Sequence, residues 1–218
     1  MSKRNYIDEI LEKKGRTHIR GSRLDIFSKR IHPLVKGFRE IKSLSNTVSW
    51  RNEWLKYSAI GYIACVEGYF RLLIADLINS GNPYISRISD LREIKFSADT
   101  VVAIHEKKIT LGEFVAHLLP LNGVSDINCH LSALFGTDYI TYYLKQPLSE
   151  HNTNSIGEVF PEEIGMLENL FQLRHLYAHE LATKEKVPVR KIEKLVGAAA
   201  IFVTLTDEII SKQYFENT

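Results

Sequence analysis

The sequence predicts an all-α protein. Apolar residues recur at steps of three and four through nearly every segment, the pattern of amphipathic helices. Three of these segments are long, and Gly, Pro and short polar runs separate them from shorter ones. No internal repeat or low-complexity tract interrupts the pattern. The expectation is one compact helical bundle with additional N-terminal and mid-chain helices. Residues 1–46 read as a basic helical region packed on the bundle, and residues 47–218 as the bundle itself.

From the N-terminus, Tyr6 to Lys14 reads as a short helix ended by Gly15. Ser22 with Asp25 makes a capping box, after which Phe27, Ile31, Leu34, Phe38 and Ile41 follow at helical intervals. Pro33 is expected to break or kink that element. The longest helix runs from about Ser49 to Asn79 and closes at Ser80-Gly81-Asn82-Pro83. Gly61 and Gly68 within it are expected to permit close helix approach. Residues 84–150 read as short helices over Ser86–Ile94, Leu111–Leu119, Ser125–Leu134 and Asp138–Lys145, with an extended piece near Thr100–Ile104. Gln146 to Phe160 reads as a polar loop. Pro161 suits the first position of the next helix, with Glu162 and Glu163 well placed against its dipole. That helix must stop before Pro188, and Val189 to Phe215 forms the last one.

With 218 residues, 44% of them hydrophobic and 25% charged, the chain has ordinary globular values and can bury a real core. The opening residues Met-Ser-Lys-Arg-Asn-Tyr-Ile-Asp-Glu lack the apolar run of a secretory signal. The most apolar stretch, Ala59 to Ile78, contains Glu67, Arg71 and Asp76, which favours a core helix over a membrane span. Cys65 and Cys129 are the only cysteines and have no motif neighbours, as expected in a reducing compartment. A soluble cytoplasmic protein without a cofactor or bound metal is therefore expected.

The net charge of +2 is unevenly spread. Residues 1–51 carry thirteen Lys/Arg against five Asp/Glu, a local +8, and the remainder carries −6. Such a basic region can attract phosphates, or simply coat a solvated helix face. Aromatic residues are not regularly interleaved with the basic ones, so no single-strand stacking platform is legible.

Function concentrates in the helix from Pro161 to Glu180. Its expected core stripe is Ile164, Leu167, Phe171, Arg174, Ala178 and Leu181, and a guanidinium in that stripe demands compensation. A carboxylate, an anionic ligand or a wet cleft would supply it. The adjoining stripe, Glu168, Gln172, His175 and His179, is polar and titratable.

Arg174-His175-Leu176-Tyr177-Ala178-His179, with its lead-in from Phe160, resembles the HEPN family (higher eukaryotes and prokaryotes nucleotide-binding domains). That family's members are all-α bundles with an Arg-x4-6-His motif, usually with a polar residue after the arginine. The segment around Glu67 also resembles an earlier family helix that often carries a glutamate. The likeness covers about residues 50–80 and 160–212. It implies a metal-independent endoribonuclease, acting as a homodimer on RNA in a bacterial toxin–antitoxin or phage-defence system, with an antitoxin or defence-complex protein as a further partner. Where some members carry a modifiable tyrosine two residues after the histidine, this chain has Leu181, which puts that regulation in doubt.

The residue types suit the implied chemistry. Cleavage by the RNA's own 2′-hydroxyl needs a base, an acid, and positive charge against the phosphorane. His179 would serve as acid/base and Arg174 as phosphate clamp, with His175 assisting and Glu67 nearby. Five residues turn a helix by about 140° and advance it about 7.5 Å, so one helix aims Arg174 and His179 apart. Two motif helices meeting in a dimer would reunite them.

Other readings use the same residues. Arg174 can pair with Glu67 or Glu168 to hold helices in register, and Glu67 can bond Arg71 one turn on. His175 and His179 share a face at metal-ligand spacing but lack further ligands. The competing function is a non-catalytic dimerisation module that binds nucleotide, RNA or a protein partner.

Overall fold

The computed structural model describes residues 5–16, 21–45, 50–91, 94–179 and 185–216, without the side chains of Arg16, His179 and 213–216. Ten α-helices and one 3-10 helix (Ile85–Asp90) occur among these residues, and no strand beyond an isolated bridge between Pro147 and Ser155. The protein is all-α.

The longest helix, α3 (Arg51–Asn79), is apolar around most of its circumference and therefore sits at the centre. Leu55, Ile63, Val66, Phe70, Leu73, Ile74, Leu77 and Ile78 along it are fully enclosed. It is the one described helix long and apolar enough to cross a bilayer by length and composition. However, 61% of its most apolar stretch is buried inside the protein, as in a core helix.

Antiparallel to it lies α2 (Arg23–Ser43). Arg51 donates to the Ile41 and Lys42 carbonyls at one end, and Arg23 reaches Asp76 at 3.0 Å at the other. Phe27 and Phe38 of α2 enter the main core, so this basic helix is integral to it. The helices approach closely at Gly61, where a methyl group would meet Leu34 Cδ1 at 3.2 Å. Ser22 and Asp25 form the expected capping box.

α1 (Tyr6–Arg16) lies on α5 (Leu111–Leu118), sharing a small second core of Ile10, Ala103, Ile109 and Phe114 with α4 (Ala98–His105). α6 (Val124–Phe135), α7 (Tyr139–Lys145) and the single turn α8 (Ile156–Val159) follow. α9 (Glu163–His179) and α10 (Val189–Glu216) pack on each other and on α3. Polar bonds join the helices: Tyr69 donates to Asp207 at 2.8 Å, Arg23 bridges Asp207 and the more exposed Asp76, and in the interior Tyr139 of α7 donates to Thr206 of α10 at 3.1 Å.

Several expectations need correction. Pro33 does not break α2, which runs through it with the ring exposed to solvent. Thr100–Ile104 is helical, because Ser97 caps the segment by accepting from the Thr100 amide and this outweighs its β-branched residues. Gly15 does not end α1, which extends to Arg16. The helix expected from Ser86 is a 3-10 helix over Ile85–Asp90, and residues 92–93 lie outside the described residues. The loop before Pro161 contains α8, held by a Ser155–Glu158 capping box. The expected start of the long helix at Ser49 falls outside the described residues.

Candidate functional site

The site is assembled where α9 lies against α3. Leu167, Leu170 and Phe171 anchor α9 in the core, with Glu163 at 3% exposure on the same side. The buried stripe is thus turned from the expected one: Ile164 is half-buried, Ala178 is exposed, and Leu173 and Tyr177 pack against the core instead. Leu181 and Glu180 lie outside the described residues.

Arg174 points from this stripe to α3. One of its terminal nitrogens lies 3.4 Å from Glu67 Oε1, and the two side chains remain 27% and 21% exposed. The separation exceeds the usual 2.7–2.9 Å of a charge-assisted hydrogen bond, and Glu67 Oε1, itself enclosed, makes no hydrogen bond among the described residues. Burial raises the Glu67 carboxyl above its ordinary range, opposed by Arg174 and then by Arg71. Of the two partners proposed for Arg174, the structure selects Glu67. Glu168 is exposed on another face.

Arg71, one turn beyond Glu67, does not form the expected local ion pair. Its guanidinium donates to the Ala116 carbonyl and, at 3.3 and 3.4 Å, to those of His117 and Leu119. It therefore closes the end of α5, satisfying carbonyls that a helix terminus leaves without partners. Burial lowers its pKa, opposed by Glu67.

His175 follows Arg174 by one residue and so faces another direction. It lines an open groove of about 640 Å³ between α9 and the start of α6, together with Glu168, Phe171, Gln172 and the backbone around Gly123. Of the expected polar stripe of α9, Glu168, Gln172 and His175 line this groove. Gly123 offers no side chain to cap α6, leaving amides of its first turn near the groove. His179 supplies the last residue of α9, and its side chain lies outside the described residues. The structure therefore brings Glu67 and Arg174 together, whereas His175 lines a groove to which neither of them contributes. No three His, Cys, Asp or Glu side chains among the described residues converge as metal ligands.

One buried carboxyl was missed. Glu163, read from sequence as a companion of the helix dipole, lies inside the protein. There Tyr143 donates to its Oε2 at 2.9 Å and its Oε1 is without a hydrogen-bond partner among the described residues. Burial raises it to about 7, opposed by the Tyr143 hydroxyl. Its register was the available signal, since residues 163, 167, 170 and 174 follow one another along one face.

No family model matches the chain, and no curated protein and no solved structure matches it.

Proposed function

We propose that this protein is a HEPN-type, metal-independent endoribonuclease that acts in the cytoplasm as a homodimer, within a toxin–antitoxin or phage-defence system. The observation that carries the reading is the state of Arg174. Its guanidinium is aimed by Glu67 without being consumed by it, because the contact is 3.4 Å long and over a quarter of the side chain stays in solvent. Donors remain for the equatorial oxygens of a scissile phosphate, where charge grows in the transition state.

In this reading Glu67 is a positioning residue for Arg174. His179 moves the proton of the 2′-hydroxyl or of the leaving 5′-oxygen, and His175 assists from the groove wall. The angle between Arg174 and His179 on one helix makes a second copy necessary, so that one protomer's arginine and its partner's histidine flank a single phosphate.

The test is RNA incubated in EDTA with wild type, Arg174→Ala and His179→Ala. Cutting by wild type that both substitutions abolish supports the nuclease. Intact RNA in every tube supports the second reading, a non-catalytic dimerisation module binding nucleotide, RNA or a protein partner. That reading is favoured by the in-chain Glu67–Arg174 pair, which already compensates the guanidinium.

A further inference from the structure

Gly197 of α10 faces open space: a methyl group added there would meet nothing within 4 Å. It lines a pocket of about 360 Å³ between the start of α9 and the middle of α10. Phe160, Met166, Ala198 and Ile201 give this pocket apolar walls, and Glu163 belongs to the same lining. Glu162 and Lys194 also border it, both exposed and of opposite charge, so together they favour neither sign of occupant.

The carboxyl of Glu163 decides the sign. The residue is 3% exposed, Tyr143 donates to its Oε2 at 2.9 Å, and its Oε1 has no hydrogen-bond partner among the described residues. A carboxylate can accept from several donors, and burying one with a single donor costs free energy. Groups left in this state are few in folded proteins, and each calls for a partner. The proposed cleavage chemistry does not use it, for Glu163 opens α9 and His179 closes it. Oε1 is enclosed, so a head group reaches it only as the lining gives way. Met166, unbranched and half-buried in that lining, has the rotatable bonds for such a shift.

We propose that this pocket binds a small free amine, with its ammonium on Glu163 Oε1 and its apolar body among Met166, Ala198 and Ile201. An ammonium supplies the donors that Oε1 lacks, and its charge compensates a buried carboxylate where a neutral hydroxyl would not. An anion would meet that carboxylate as a like charge. At liquid-like packing, the space accommodates about a dozen non-hydrogen atoms, the size of an arylalkylamine.

Tryptamine has that size, and tryptophol differs from it by a hydroxyl in place of the ammonium. Both are titrated calorimetrically into the full chain. Tryptamine should saturate one site and bind roughly tenfold more tightly than tryptophol. Ammonium binding requires the ionised carboxyl, which burial raises to about 7, while burial keeps the neighbouring Tyr143 hydroxyl protonated. Tryptamine affinity should therefore rise roughly tenfold from pH 6 to pH 8, and tryptophol affinity should not. Glu163→Gln should abolish both the pH dependence and the preference for the amine. Gly197→Leu adds bulk to the lining from a position with open space, so it should weaken binding roughly tenfold without lowering the urea midpoint.

Failure of tryptamine to bind saturably overturns the proposal. So does equal binding of tryptophol, an affinity that stays flat between pH 6 and pH 8, or wild-type affinity in Gly197→Leu. None of these outcomes bears on RNA cleavage, because Arg174 is no part of this pocket.

Discussion

Glu67 and Arg174 face each other at 3.4 Å across the seam between α3 and α9, near enough to share charge and too far apart for a finished hydrogen bond. Each therefore depends on the other for charge compensation while keeping hydrogen-bonding capacity. Arg174→Ala removes the compensation and lets burial raise the Glu67 carboxyl further. The folded state then holds a proton that the unfolded chain releases, so the stability of this variant is retained in acid and lost as pH rises above the ordinary carboxylate range. Urea unfolding is expected to place it about 1–3 kcal/mol below wild type at pH 8, with much of the gap closed at pH 5. An equal deficit at both pH values would mean that Arg174 contributes packing alone.

Glu163 predicts a pH dependence of its own. Its folded pKa of about 7 stands above the 4.5 of the free carboxyl, so its contribution is intact below pH 4.5 and is lost as pH rises toward 7. The full loss is about 3 kcal/mol, from the spacing of those two values. Glu163→Gln cannot ionise, and its stability curve between pH 5 and pH 8 should be flatter than that of wild type. Parallel curves would show that the carboxyl does not titrate in this range.

His117 acts in the opposite sense. Its side chain is 6% exposed, with Nε2 2.8 Å from Glu9 and Nδ1 3.1 Å from Lys13. Lysine can only donate and a carboxylate only accept, so the ring is neutral with its proton on Nε2. Burial lowers its pKa, opposed by the hydrogen bond to Glu9, while Lys13 and Arg71 also disfavour the charged ring. The unfolded chain thus takes up the proton first, and stability falls as pH drops below about 6.5. Hydrogen exchange in α1 should accelerate between pH 7 and pH 5.5, after correction for the intrinsic rate. Replacing His117 with Asn should remove that acceleration.

Gly112 carries a steric prediction. A methyl group there would lie 2.1 Å from the Ala75 carbonyl oxygen and 2.7 Å from Asn79 Oδ1, and the first of these is backbone. The Gly112 amide also donates to Asn79 Oδ1 at 3.0 Å. Gly112→Ala should destabilise the protein by about 3 kcal/mol, read as a lower urea midpoint. A shift below a few tenths of a molar would show that α5 can withdraw from α3 without cost.

The long helices were legible because their apolar periodicity continues for twenty residues or more, as in α2, α3 and α10. Short elements were not, since one cap can outweigh propensity. Ser97 turns a β-branched run into α4, and α2 continues through Pro33. At the site, the sequence named Arg174 through its place in an apolar stripe and the motif resemblance, and offered Glu67 as one of two carboxylate partners. It could not foresee that Arg71 would leave Glu67, because the carbonyls that attract it lie more than forty residues away along the chain. The exposure of Trp50, Trp54 and Tyr57 was hidden for a related reason: on a helix that is apolar nearly all round, only tertiary packing decides which face is left uncovered.

Arg71 gives that displacement a wider meaning. Its guanidinium is occupied only while α5 offers its terminal carbonyls, and Glu67 is one helical turn away. Should α5 unfasten from α3, Arg71 would be freed toward the carboxylate whose charge it already favours, and two cations would bid for Glu67. The docking of the eight-residue α5, whose Val115 and Ala116 are part of the main core, thereby governs whom Glu67 serves.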